Sequence, residues 1–223
     1  MSIEAGLLPV WFLVVCGFLA LVCVATALLC ANWAVFRQNQ SVQHFFFAVC
    51  VGLGVLWSIR AGISAGLGVH FLGMVAATLL MGWPLALLAG LLGLLGITVG
   101  GLEAPEALGV NVLFCVALPT ASAHLINVAV QKYLPPNPFV YIFLGGFFNG
   151  AVSIVLVACA TALMLGLLEV YPWQKVYHDY FRYLPLMLFP EAFLNGMVIA
   201  GLVGTVPHWL STFDVDRYFN DER

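Results

Sequence analysis

Long apolar runs separated by short polar stretches set the first expectation for this chain. A run from about Leu7 to Phe36 is long enough to cross a bilayer with tilt. Arg37, Gln38, Asn39 and Gln40 then form a polar loop, and a second run covers about His44 to Ile59, closed by Arg60. A glycine-rich elbow from Gly62 to Gly68 leads to a third run at about 69–82. Trp83-Pro84 marks a tight turn, because proline cannot continue a helical ladder and restricts the residue before it. A fourth run covers about 85–99, followed by an acidic loop with Glu103, Pro105 and Glu106. The fifth run, about 109–130, ends at Gln131-Lys132, and Leu134-Pro135-Pro136-Asn137-Pro138 is a rigid connector. The sixth covers about 139–168, the polar stretch 169–182 follows, and the seventh covers about 183–209 before a charged tail from Ser211 to Arg223. The pattern predicts an all-α, polytopic integral membrane protein: one transmembrane domain, 1–223, built as a single bundle of about seven helices.

Composition agrees. Of 223 residues, 63% are hydrophobic and 8% charged, so the expected solvent is lipid. A net charge of −3 gives no reason to expect a nucleic-acid partner. The six cysteines all lie in apolar runs, which predicts free thiols. The N-terminus has no basic stretch of the kind that opens a cleaved signal peptide. With seven crossings, an inward tail places Arg37, Lys132, Arg217 and Arg223 inside. Arg60, Lys175 and Arg182 then lie outside, with Glu4, Glu103, Glu106 and Glu169. The expectation is therefore N-terminus outside and C-terminus in the cytoplasm. Residues 1–6 would fold into the outer mouth, and 211–223 would form a short inner tail.

Some residues carry candidate chemistry. Glu191 lies several residues into the last run, where a carboxylate is costly unless it has a partner or a task. It points either to a binding site or to a structural bond with Arg60 or a backbone amide, and Asn195 shares its face. His70, Met74 and Met81 lie near one helix face, as packing or as a soft-metal stripe. Cys16, Cys23 and Cys30 recur every seven residues, as interface residues or as a thiol relay. His44, His124 and His208 fall toward the inner side, either separately or as a second site. Small-x-x-x-small pairs such as Gly146/Gly150 and Gly196/Ala200 predict close helix contacts. No nucleophile elbow, His-Glu-x-x-His, Cys-x-x-Cys or phosphate-cradling loop occurs, so an enzyme is not expected.

Several elements occur in an order that resembles a known family. They are Gly68-Val69-His70-Phe71-Leu72-Gly73, the Gly82-Trp83-Pro84 turn, Gly100-Gly101-Leu102, and Leu108-Gly109-Val110-Asn111. The opening Met1-Ser2-Ile3-Glu4-Ala5-Gly6-Leu7-Leu8-Pro9 and the stretch Pro185–Gly196 extend the likeness. Together they resemble the cobalt/nickel substrate-binding membrane subunits of energy-coupling-factor transporters, the CbiM/NikM type. The resemblance implies uptake of a transition-metal ion at the plasma (inner) membrane of a prokaryote. It also implies a coupling transmembrane subunit and ATPase subunits as partners within the lipid bilayer. The implied cargo is nickel or cobalt, with copper as the softer alternative. The family's ion is held by the amino terminus, a histidine at position 2 and the histidine matching His70. The candidate metal set is therefore Met1, Ser2, His70, Asn111 and Glu191, with Ser2 standing where the family carries histidine. The alternative is a non-transporting accessory or structural subunit of a larger membrane complex, derived from this family.

Overall fold

The computed structural model describes residues 5–60 and 70–219. Six apolar helical spans of membrane-crossing length occur among them. The first is α1, Val10–Cys30, followed by the short α2, Trp33–Gln38, and α3, Gln40–Ser58. The next is α4, Met74–Val99. Then come α5, Pro105–Tyr133, and α6, Pro138–Leu167. Each of those two contains a π-helical segment, Val112–Ala117 and Tyr141–Phe148 respectively. The last span holds α7, Trp173–Asp179, and α8, Leu184–Thr205, and a short α9, Val215–Phe219, follows it.

Among the described residues the six spans nevertheless give seven helical legs, because α4 is folded back on itself. Gly82, at φ 79 and ψ 159, breaks it two residues before Pro84. In an unbroken helix Gly73 and Gly93 would stand about 30 Å apart. Yet the Leu53 side chain lies 3.3 Å from the Cβ position of each. The Met74 Cε is likewise 3.1 Å from the Cβ position of Gly90. The expected third and fourth runs are thus two antiparallel arms meeting at Gly82-Trp83-Pro84. The first arm is short: Met74–Met81 rises only about 12 Å, and the lead-in from 61 to 69 lies outside the described residues.

Ala5–Leu7, His70–Gly73 and the Gly100–Ala107 loop mark one end of the bundle, here called the mouth face. At the opposite face the Gly82 turn is sealed by the segment after α8. Ser211 N–H donates to Leu80 O at 2.9 Å, and the Thr212 hydroxyl to Leu79 O at 2.8 Å.

Three boundaries differ from the sequence pattern, two of them through a polar cap. The first run stops at Cys30 rather than Phe36, since Ala31 is extended and Asn32 Oδ1 accepts Val35 N–H to start α2. Asn39 Oδ1 accepts Ser41 and Val42 N–H and starts α3 at Gln40, four residues before the expected His44. The polar stretch 169–182 contains α7. Helices α6 and α8 cross closely because glycines line the contact. The Cβ position of Gly150 lies 3.1 Å from the Ala192 Cα, and that of Gly196 is 2.9 Å from the Phe147 Cβ. This approach sets the depth at which Glu191 and Asn195 meet the short arm of α4.

The reversal at Gly82 fixes the relative sides of the loops. Single cysteines placed at Glu106 and Asp216, in a chain stripped of its native thiols, are expected to label from opposite sides of a sealed vesicle. Labelling of both from one side would contradict seven passes.

Candidate metal site

His70 is buried, with 3% of its surface exposed. Its Nδ1 lies 2.9 Å from Phe71 O. A carbonyl only accepts, so the proton resides on Nδ1 and Nε2 keeps its lone pair. Nε2 has no hydrogen bond among the described residues. Burial pushes the imidazole well below the usual histidine range, so the ring is neutral near pH 7. The Trp57 ring stands 6.1 Å from the imidazole, and its indole N–H donates to Leu72 O at 3.1 Å.

The turn that carries His70 is held mainly by Glu191. This side chain is fully buried on α8, about two turns from its start at Leu184. Leu72 N–H donates to Oε2 at 2.8 Å and Gly73 N–H to Oε1 at 2.9 Å. Asn195, one turn further on, donates its side-chain N–H to Oε1 at 2.7 Å and accepts Ala76 N–H at 2.9 Å. Four groups at the start of α4 and in the pair itself are satisfied in this way. Glu191 thus makes the backbone bonds that one of its sequence alternatives expected. Both oxygens face N–H groups at a helix start, which is the work of a cap and a counter-charge to the helix dipole.

A second polar cluster lies at the mouth face, with Glu103 and Asn111 buried and Arg60 exposed. The Arg60 Nη1 lies 2.7 Å from Glu103 Oε1, and Arg60 also donates to Trp57 O at 2.8 Å and Leu102 O at 3.0 Å. Asn111, 1% exposed, donates its amide N–H to Glu103 Oε2 at 3.1 Å. Trp57 therefore links the two clusters: its indole holds the His70 turn and its carbonyl holds Arg60.

Of the predicted site residues, the described structure brings His70 and Glu191 onto one turn and ties Asn111 to that turn through Glu103, Arg60 and Trp57. Met1 and Ser2 lie outside the described residues. The other candidates disperse. Met74 is core packing, and Met81 lines a cavity of about 430 Å³ at the opposite face with Cys30 and His208. Cys16 is buried, Cys23 half-buried and Cys30 exposed, and none of the six cysteines forms a disulfide. His124 sits beside Trp83, and His44 is exposed. Among the described residues no three His, Cys, Asp or Glu side chains converge as a ready metal cage.

The sequence matches the CbiM family, described as the cobalt uptake substrate-specific transmembrane region, over residues 2–209. The chain belongs to the CbiM family. A crystal structure described as that of a truncated transition metal transporter shares the fold. It covers 92% of this chain and 99% of its own, with a TM-score of 0.73 and 19% identity. No curated protein sequence matches. In this CbiM-family chain, sequence reasoning passed over Trp57 and Glu103. Glu103 reads as a solvated loop acid, and only its position one residue after Gly-Gly-Leu, within reach of Arg60, hints otherwise. Trp57 carries no local signal beyond its place three residues before Arg60.

Glu191→Ala is expected to lower unfolding free energy in detergent by about 2–5 kcal/mol, since it strands two buried amides. Glu191→Gln, which keeps one acceptor oxygen, should fall between wild type and Ala; equal stability of all three would exclude the cap. His70 gives a pH signature. Its folded-state value is depressed, so the unfolded chain binds more protons below about pH 6.5, and the stability tied to neutral His70 is lost as pH falls through that range. His70→Ala should flatten this part of a stability–pH curve.

Proposed function

We propose that this chain is the substrate-capture permease of a transition-metal uptake system of the energy-coupling-factor type, with cobalt or nickel as cargo. Membership of the CbiM family, whose description is cobalt uptake, supports the transport reading. The observation that carries the site is His70: a buried neutral imidazole with Nδ1 committed to a carbonyl and Nε2 left with its lone pair. That is the state in which imidazole binds a borderline divalent ion, with the bond to Nδ1 fixing tautomer and ring direction.

In this reading the ion enters at the mouth face and is taken by His70 Nε2 with nitrogens of Met1 and Ser2. Asn111, tied to the same turn through Glu103, Arg60 and Trp57, belongs to the candidate set. Glu191 holds the turn rigid rather than touching the ion, since its oxygens already accept N–H groups. The sequence holds no nucleotide-binding motif, so energy would come from separate ATPase subunits through a coupling membrane subunit. The mouth face would be external and α9 cytoplasmic.

Ser2→His tests this reading. It restores an imidazole beside the amine, the first amide and His70, a nitrogen set suited to Ni²⁺. Equilibrium binding of Ni²⁺ is expected to tighten by about ten- to a hundred-fold, by analogy with the cost of losing a supporting partner. The gain should vanish when His70→Ala is added. An unchanged affinity would move the assignment to the accessory-subunit alternative.

A further inference from the structure

The turn that carries His70 contains two consecutive peptide units, and Glu191 holds the N–H end of each. Leu72 N–H, from the 71–72 peptide, donates to Oε2 at 2.8 Å, and Gly73 N–H, from the 72–73 peptide, donates to Oε1 at 2.9 Å. A planar trans peptide points its C=O opposite to its N–H. Both carbonyls therefore face away from the carboxylate, and they end on different partners. Phe71 O lies 2.9 Å from His70 Nδ1, whereas Leu72 O accepts the Trp57 indole N–H at 3.1 Å. One line of groups thus runs from Glu191 Oε2 through the 71–72 peptide to His70 Nδ1, and the ring carries it to Nε2. The parallel line through the 72–73 peptide ends on Trp57.

The line has a direction. Among the described residues the partners of the Glu191 oxygens are all donors, from Leu72, Gly73 and Asn195, which suits an ionised carboxylate. Negative charge at the N–H end of a peptide makes its carbonyl a better acceptor. Linked hydrogen bonds in a low-dielectric interior strengthen one another by roughly 10–30% per bond. A better acceptor at Nδ1–H leaves more electron density on Nε2, as when a metal-binding histidine donates directly to a carboxylate. Both ends of the line, Glu191 and His70, are buried, so water screens little of this effect.

We propose that Glu191 is a positioning residue for His70 and acts through the 71–72 peptide: it fixes the Nδ1–H tautomer and strengthens Nε2 as a ligand. The inference rests on the metal-capture reading above and adds to it a role that does not place Glu191 on the ion. Both oxygens cap the helix start, but only Oε2 serves the imidazole.

Two matched backbone changes test it. Replacing an amide by an ester removes the N–H of one peptide unit and weakens the carbonyl of the same unit. The α-hydroxy analogue of leucine at position 72 breaks the line to His70, and that of glycine at position 73 breaks the line to Trp57. Each takes one hydrogen bond from Glu191, so a purely structural role would make the two alike. The readouts, on full-length protein in lipid nanodiscs, are equilibrium binding of Ni²⁺ and, without metal, the imidazole nitrogen NMR signals of His70.

The ester at 72 is expected to weaken Ni²⁺ binding by about ten- to a hundred-fold and to shift the Nδ1 signal, and the ester at 73 to weaken binding by about three-fold at most. Glu191→Gln should weaken binding as the ester at 72 does. Adding it to that ester should cost no more than about three-fold further, because both changes break one line. Equal affinities for the two esters, losses that multiply in the combined variant, or an Nδ1 signal that ignores the ester at 72 would overturn the relay while leaving metal capture intact. Wild type that binds no Ni²⁺, Co²⁺ or Cu⁺ would overturn the capture reading and this inference with it.

Discussion

The structure depends on one solvation problem. A chain that starts a helix inside a lipid-embedded bundle exposes N–H groups with no water to satisfy them, and each costs several kcal/mol if left bare. The short arm of α4 starts in this way, at Leu72 and Gly73. Glu191 meets both N–H groups with its two oxygens, and Asn195 meets the next at Ala76. The carboxylate is tolerable at that depth because the helix start needs it, and the helix start is tolerable because the carboxylate is there. Close glycine contacts between α6 and α8 bring Glu191 to this level. The His70 turn is the piece of irregular backbone that the arrangement makes possible.

Function follows from that rigidity. A histidine on a solvated loop would sample many directions and take up a proton in mildly acidic conditions. His70 is locked by Phe71 O, shielded by Trp57 and seated on a turn that α3 and α8 grip from two sides. Its Nε2, without a hydrogen bond among the described residues, is the feature on which the proposed capture role turns. The Arg60–Glu103–Asn111 cluster adds a second fixed group, joined to the first through Trp57.

Much of this was legible from residue order. The Gly82-Trp83-Pro84 turn separates two antiparallel arms, because only glycine takes the backbone angles there and proline forbids a continuous ladder. Glu191 announced itself as a lone acid in an apolar run, and its partner on the next turn, Asn195, followed from helical spacing. What stayed hidden was long-range pairing. Glu103 looks like any loop acid until the fold brings Arg60, 43 positions earlier, against it. Nothing local marks Trp57 as the link between two clusters. The starts of α2 and α3 were hidden for a different reason: Asn32 and Asn39 read as loop residues, but their side chains cap helices. The His/Met and cysteine stripes have the spacing of metal relays, while in the fold Met74 packs in the core and Met81 and Cys30 line a cavity at the opposite face.

The most direct test of the account is the position of the ion. Crystals of Co²⁺-loaded protein, measured at the cobalt edge, are predicted to show one anomalous peak at the mouth face, about 2.1 Å from His70 Nε2. Glu191 should remain bonded to Leu72 and Gly73. A peak at the opposite face, in the cavity lined by His208 and Cys30, or a peak bonded directly to Glu191, would contradict it.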